Sequence, residues 1–303
     1  MGHLVEVNKT LLGKNATLFS DDGEEAARQR AEGYALYEEK PNLRRRGAEI
    51  GTWSDREYGL PGFQWMYLRL KSYQRFTETW AVLERCAEAG LFDEGQILAA
   101  APRVCSLGGG PGYELLAYDL FQKYWEARDA SQPHAWRLDA PWPPPPAGQN
   151  DETTRFWSLD LQPSWHTYVD LLGYGFHQWD MHRAKLDLID GGKRGVVCLL
   201  SNIMCYCTDD ATADLFTKLL KTSVAAIVAN ERGAEQGIAP LLERRGVVVV
   251  KLLDQTAAGR DDRQLIFLPP GSPATLPNIP LPEATYRVFP NVPYEEKKGV
   301  KRN

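Results

Sequence analysis

Four glycines and one proline interrupt an apolar stretch at residues 104–112, which read VCSLGGGPG. A second apolar segment with helical character, YELLAYDLF, follows directly. Glycine in a strand-to-helix turn lets the backbone approach a ligand closely, because no Cβ stands in the way. Gly108, Gly110 and Gly112 are therefore candidate binding residues that would act through their backbone groups.

The spacing of these glycines disfavours the two commonest nucleotide loops. The dinucleotide fingerprint G-x-G-x-x-G would place its last glycine at position 113, where this chain has Tyr113. A phosphate-binding P-loop ends in Gly-Lys followed by Ser or Thr, and these residues do not follow the glycines here. The pattern thus argues against NAD or ATP bound in the usual way.

The segment SLGGGPGYELL resembles motif I of the class I S-adenosylmethionine-dependent methyltransferases, and the resemblance covers roughly residues 100–270. It implies a Rossmann-like fold, S-adenosyl-L-methionine as the cofactor and S-adenosyl-L-homocysteine as the product. The first hundred residues and the C-terminal tail match no subfamily, so the resemblance names no substrate.

Two acidic residues stand where this family needs carboxylates. Asp160, at the end of the strand FWSLD and followed by Leu161, would accept both ribose hydroxyls of the cofactor. Asp180, after the next strand, would accept from the adenine amino group, with Trp179 or Met181 packed on the purine. These roles follow from the resemblance and from each residue's position after a strand.

Polar residues of the next loop, SNIMCY, would border both cofactor and acceptor in this family. Ser201 is expected on the cofactor side, and Asn202 and Tyr206 are the candidate catalytic residues. Tyr73 or Arg75 of the N-terminal helical segment would reach the cofactor carboxylate. A general base is needed only if the acceptor is protonated when it attacks. The candidates for that base are His166, His177, His182, Tyr206 and Glu231.

The same loop also excludes some acceptors. It lacks the D/N-P-P-Y/F pattern of the family's N6-adenine and N4-cytosine enzymes, which argues against exocyclic amino groups of nucleobases. Neither Cys205 nor Cys207 follows a proline, so neither resembles the nucleophile of the 5-methylpyrimidine enzymes. We interpret both as packing residues and expect no metal site, because no second cysteine pair or well-placed histidine accompanies them.

Three functions remain open. A small-molecule acceptor, bound between the aromatic-rich helical segment and the strand-end loops, is the first. A ribosomal RNA base is the alternative, since Arg44–Arg46 and the terminal KKGVKR could contact phosphate, although acidic residues flank both clusters. A binding subunit that keeps the methyltransferase fold without the chemistry is the third.

Hydrophobic periodicity predicts the elements that would position these residues. The first hundred residues appear as amphipathic helices, and strands alternate with helices from Arg103 onward. The last two strands, VVVVKLL and RQLIFL, have no helical pattern between them, which predicts an antiparallel hairpin. We therefore predict a seven-stranded, mostly parallel α/β sheet with a helical N-terminal appendage. The expected divisions are 1–100 for the appendage, 101–275 for the catalytic domain with an insertion at 128–153, and 276–303 for a Pro-rich tail.

Net charge, hydropathy and cysteine content narrow the partners and the cellular compartment that we expect. The 303-residue chain has a formal net charge of -5, which does not favour a nucleic-acid partner. No apolar run is long enough to span a bilayer, and the N-terminus lacks the apolar core of a signal peptide. The five cysteines are odd in number and suggest reduced thiols. We expect a cytoplasmic protein, or a nuclear one if RNA is the acceptor.

Overall fold

The computed structural model describes residues 2–38, 53–93, 96–99, 101–129, 154–181, 195–204, 207, 209–230, 238–253 and 264–272. Within them lies a seven-stranded sheet with the strand order β3-β2-β1-β4-β5-β7-β6. Its strands are β1 (Val104–Leu107), β2 (Phe156–Asp160), β3 (Gly175–Gln178), β4 (Val196–Ser201), β5 (Val224–Asn230), β6 (Val248–Leu253) and β7 (Gln264–Leu268).

The first five strands are parallel, and β7 is antiparallel to both of its neighbours. The predicted mostly parallel sheet with a final antiparallel hairpin is therefore confirmed. The second strand of the hairpin, β7, lies between β5 and β6, so β6 is at the edge of the sheet. Strand order reverses between β1 and β4, so the carboxyl ends of these two strands border the crevice where open α/β sheets bind ligands.

Helices cover both faces of the sheet. The described helices are α1 (Gly2–Ala16), α2 (Gly23–Glu38), α3 (Asp55–Tyr58), α4 (Pro61–Glu88), α5 (Tyr113–Asp129), α6 (His166–Leu171), α7 (Asp210–Thr222) and α8 (Ile238–Glu243). Helices α1, α4, α5 and α6 share one hydrophobic core with the sheet, and α7 and α8 share a second core on the opposite face. Alternate residues of β4 and β5 enter the two cores, as a sheet buried on both faces requires.

Helix α4 runs unbroken for 28 residues. Proline stands only at its first position, and the stretch from Phe63 to Ala89 contains no glycine, so nothing interrupts the hydrogen-bond ladder. The helix contacts α5, β5 and β6 directly. It therefore forms part of the layer that buries the sheet.

Aspartate side chains cap the N-termini of α2 and α7. Asp22 accepts the backbone N–H of Glu24 at 2.9 Å at the start of α2, and Asp209 accepts that of Thr212 at 2.7 Å at the start of α7. Helix α5 extends to Asp129, so its last two residues fall within the predicted insertion. Residues 130–153 of the insertion, the tail 276–303 and both basic clusters lie outside the described residues.

None of the helices in the described ranges is both long and apolar enough to cross a membrane.

Candidate functional site

The glycine-rich turn between β1 and α5 takes backbone conformations that favour glycine. Gly108, Gly110 and Gly112 have φ values of +63°, +47° and +90°. A Cβ on Gly108 would overlap the side chain of Ile203, whereas one on Gly110 would meet nothing closer than Trp165, at 3.9 Å. The two glycines therefore have different purposes. Gly108 leaves room for the side chain of Ile203 in the segment after β4, whereas at Gly110 only the positive φ favours glycine.

Asp160 lies against this turn. Its Oδ2 accepts the backbone N–H of Gly110 at 2.8 Å, and its Oδ1 accepts that of Gln162 at 2.9 Å. Burial raises the pKa of the carboxyl to about 6, and the two backbone N–H groups oppose that rise. The carboxylate thus bridges the glycine turn and the segment after β2. Its neighbour Leu161 is 48% exposed, an apolar side chain on the rim of the crevice.

The end of β3 lies beside Asp160. The backbone N–H of Trp179 donates to the carbonyl oxygen of Asp160 at 2.8 Å, so the segments after β2 and β3 run together. The indole of Trp179 is buried, and its Nε1–H has no acceptor among the described residues. Asp180 and Met181 are half-buried, and Met181 accepts the Cys207 thiol at 3.1 Å. The two predicted acidic residues therefore end neighbouring strands.

The segment that follows β4 lies on the opposite side of β1 from Asp160. Ser201 is buried, and Asn202 takes a left-handed conformation with a φ of +55°, which is uncommon for a non-glycine residue. Its backbone N–H donates to the carbonyl oxygen of Asn230 at 2.9 Å. Strain of this kind clusters in turns that hold functional groups. Tyr206, the other predicted catalytic residue, lies outside the described residues.

Helix α4 brings a buried polar group to the same end of the sheet. Arg75 is buried, forms an ion pair with Glu78 at 3.2 Å and hydrogen-bonds the Tyr67 hydroxyl. Tyr67 also packs against Trp165, with 5.3 Å between ring centroids. Tyr73, the alternative to Arg75, is half-buried and packs against the core beneath α4. Of the two, Arg75 carries the charge that an anionic group would need.

Glu114, in the first turn of α5, completes this group. Burial raises its pKa to about 7, and the neighbouring Arg75 guanidinium opposes the rise. The residue stands inside the glycine motif, but nothing in the local sequence shows that it faces Arg75. Helix α4 enters the site from a distant part of the chain, and only packing places the two side chains together.

The structure describes two of the histidines predicted as a general base, and their surroundings differ. His166 pairs with Asp170 at 3.0 Å along one face of α6 and stacks on Phe176, which accounts for it structurally. His177 is a half-buried residue of β3. His182 and Glu231 lie outside the described residues. Among the residues that are described, no three His, Cys, Asp or Glu side chains form a group able to hold a metal ion.

Of the comparisons with known proteins, only the one with solved structures gives matches. No family model matches the chain, and no curated protein matches its sequence. Its structural neighbours include S-adenosylmethionine-dependent methyltransferases at low sequence identity. The mitomycin 7-O-methyltransferase MmcR is 12% identical with a TM-score of 0.43, and the alignment covers 80% of this chain and 68% of MmcR. The pyocyanin biosynthetic protein PhzM is 14% identical with a TM-score of 0.40, over 78% of this chain and 67% of PhzM.

A third structure is the magnesium protoporphyrin IX methyltransferase ChlM from Synechocystis PCC 6803, solved with bound S-adenosylmethionine. It is 12% identical with a TM-score of 0.33, over 78% of this chain and 90% of ChlM. At these identities and TM-scores, none of the three similarities decides the cofactor or the substrate of this chain.

Proposed function

We propose that this protein is an S-adenosyl-L-methionine-dependent methyltransferase that acts on a small-molecule acceptor. The observation that carries the proposal is the Asp160 carboxylate bonded to the Gly110 backbone, beside the crevice between β1 and β4. A nucleoside needs a carboxylate for its ribose hydroxyls next to backbone that it can approach closely. Asp160 and Gly110 meet both needs in one contact.

The cofactor fits the groups present. The oxygens of Asp160 accept backbone N–H groups that include those of Gly110 and Gln162, and their remaining lone pairs would accept from the ribose hydroxyls. Gly108, Gly110 and Gly112 would lie along the methionine portion, and Ser201 would border it from β4. Leu161, Trp179, Asp180 and Met181 would surround the adenine. Arg75, with Tyr73 as the alternative, would hold the carboxylate of the cofactor.

Methyl transfer requires mainly that the methyl donor and the acceptor are aligned and that water is excluded. The bound cofactor supplies a methyl group already activated on a sulfonium, and the chain positions the acceptor for in-line attack. Helix α4 and its buried side chains keep water from the carboxyl end of the sheet. Asn202 and Tyr206 are the residues that we assign to the acceptor. A proton on the acceptor would leave to a base, for which Tyr206 is the candidate in the loop after β4, while Asn202 would orient the acceptor by hydrogen bonding.

The buried polar side chains Arg75 and Glu114, close to Asp160, support an acceptor small enough to be enclosed. Four cysteines within the described ranges, Cys86, Cys105, Cys198 and Cys207, are buried and unbridged, which supports a reducing, cytoplasmic setting. An RNA base and a non-catalytic binding role remain as outcomes of the experiments below.

Calorimetric titration with S-adenosylmethionine tests the cofactor. We expect saturable binding to the wild type and an affinity at least about 10-fold weaker for Gly110→Ala, equivalent to roughly 1.4 kcal/mol. Gly271→Ala is the matched control, because Gly271 also has a positive φ, +80°, and a Cβ there would meet nothing within 4 Å. The control should bind as the wild type does. Absence of binding to the wild type at millimolar cofactor would refute the proposal.

Transfer of a radiolabelled methyl group to fractionated cell extract tests the acceptor. We expect label in the fraction of small metabolites. Label in the RNA fraction would overturn the assignment of a small acceptor. Cofactor binding without label in any fraction would favour the non-catalytic role.

A further inference from the structure

Three polar side chains form a row at the carboxyl edge of the sheet. Ser201 ends β4, Asn230 ends β5, and Gln264 begins the antiparallel β7. Asn230 pairs in register with Ser201 on one side and with Gln264 on the other. All three are buried. Polar residues are therefore concentrated where the strands leave the core.

The row faces α4. Along β5, Val228 belongs to the core shared with α4, and Ala229 belongs to the core on the opposite face. Because side chains alternate along a strand, Asn230 points to the α4 side, as Val228 does. The same alternation along β7 places Gln264 on that side.

The contacts of Gln264 agree with this direction. Its Oε1 accepts from Arg85 of α4 at 2.5 Å, and its Nε2 approaches the carbonyl oxygen of Glu78 at 3.4 Å. Gln264 is thus engaged by the helix above it. Asn230, its neighbour in the row, has no such hydrogen bond at its Oδ1 among the described residues.

Asn230 carries a buried acceptor without a donor. Its side chain is 2% exposed, and its Oδ1 has no hydrogen-bond partner among the described residues. A buried polar atom left in this state lowers stability, so a folded protein that retains one needs a reason for it. The Asn230 backbone also accepts the N–H of Asn202, which places the residue beside the β4 exit loop of the candidate site.

We propose that Asn230 is a specificity-determining residue of the acceptor site, and that its Oδ1 accepts an N–H or O–H group of the methyl acceptor. This inference rests on the proposed methyltransferase function. It restricts the acceptor to molecules that carry a hydrogen-bond donor close to the methylated atom, such as an amine, an amide or a hydroxyl compound. Ser201 and Gln264 flank the position and give it polar surroundings.

Replacing Asn230 with leucine separates this role from a structural one. Leucine has nearly the same shape and removes the unpaired acceptor, so Asn230→Leu should raise the melting temperature of the free protein, by about 2 °C or more. Asn15→Leu is the matched control. Asn15 is also buried and its Oδ1 likewise has no partner among the described residues, but its Nδ2 donates to the Tyr168 hydroxyl at 2.7 Å and to the Pro61 carbonyl at 3.1 Å, and leucine would remove both of these bonds. The same substitution there should lower the melting temperature.

Activity is measured as labelled methyl transfer from S-adenosylmethionine to dilutions of the fraction that accepts label from the wild type. We expect Asn230→Leu to bind S-adenosylmethionine like the wild type in calorimetry and to lose about 10-fold in apparent kcat/KM for the acceptor. Asn15→Leu should retain its kcat/KM at a temperature where it is folded.

Each result bears on the proposal. A melting temperature that falls in Asn230→Leu, or an unchanged kcat/KM, would overturn the role of Asn230. If no fraction accepts label, the melting temperature alone decides: a rise supports an acceptor kept for a ligand, and a fall refutes it. Loss of cofactor binding by the wild type would instead overturn the proposed function, so the two failures are distinguishable.

Discussion

Asp160 serves two partners at once. Its carboxylate accepts the backbone N–H groups of Gly110 and Gln162, and in the proposed function the same oxygens accept the ribose hydroxyls. Burial raises its pKa to about 6, so a proton competes with any donor that the ligand brings. The charge state of one residue therefore links the glycine turn to binding.

This link predicts a pH dependence. In the free folded protein, Asp160 takes up a proton as the pH falls through its pKa of about 6, well above the ordinary value of 3.8 for an aspartate. Ribose hydroxyls bind the charged form, so S-adenosylmethionine affinity should fall as the pH is lowered from 7 to 5, by about 10-fold for each pH unit below the pKa. Binding near pH 6 should release protons. Calorimetry in buffers of different ionisation enthalpy measures both effects.

Asp160→Asn provides the control for this residue. The amide keeps one acceptor oxygen and cannot ionise, so its weaker affinity should be nearly independent of pH between 5 and 7. A variant that retained the pH profile of the wild type would show that another group is responsible. Glu114, whose pKa is raised to about 7, would then be the next candidate.

At the scale of elements, α2 and α4 meet through two glycines. A Cβ on Gly33 of α2 would overlap the backbone of Gly62, and a Cβ on Gly62 would overlap the carbonyl oxygen of Gln29. Backbone-to-backbone contact of this kind brings the helices closer than larger residues permit. It also fixes the start of α4, from which Tyr67 and Arg75 reach the candidate site.

Gly33→Ala should therefore separate the two helices. We expect a loss of unfolding free energy of about 1–3 kcal/mol, which is typical of overpacking, measured by denaturant titration. Gly13→Ala is the matched change in a helix, because a Cβ on Gly13 of α1 would meet nothing within 4 Å. There, the higher helix propensity of alanine should stabilise the protein by roughly 0.5–1 kcal/mol. Equal effects in both variants would contradict the close packing of α2 on α4.

At the scale of the whole molecule, the N-terminal helices and the sheet share one core. Leu68 and Phe76 of α4 and Leu4 of α1 belong to the cluster that contains Val104 of β1 and Val228 of β5. The division at residue 100 between an appendage and a catalytic domain stays a prediction. A shared core favours joint unfolding, because removing α4 would expose one face of the sheet.

Thermal unfolding tests this coupling. Helical circular dichroism and tryptophan fluorescence should report one common midpoint. Leu68→Ala, at a fully buried position of α4, should lower both midpoints together and cost about 2–5 kcal/mol. Leu70→Ala, on the exposed side of the same helix, should change stability by less than about 0.5 kcal/mol. Two separate transitions, with only one affected by Leu68→Ala, would support an independent appendage.

Local patterns predicted the elements that depend on neighbouring residues. Glycine between β1 and α5, the acid at the end of β2 and the final hairpin can all be derived from short stretches, because turn chemistry and side-chain alternation act locally. The position of β7 between β5 and β6 was not predicted, because strand order depends on contacts between distant segments.

The sequence by itself thus determined the α/β class, the glycine turn between β1 and α5, and the acid at the end of β2 that bonds to that turn. The tertiary structure decided which side chains share the site. Glu114 meets Arg75 because α4 packs on α5, and Asn230 lies beneath α4 because the same helix packs across β5, which lies more than a hundred residues further along the chain. Burial and unpaired polar atoms exist only after that packing, so no pattern along the chain could have predicted them.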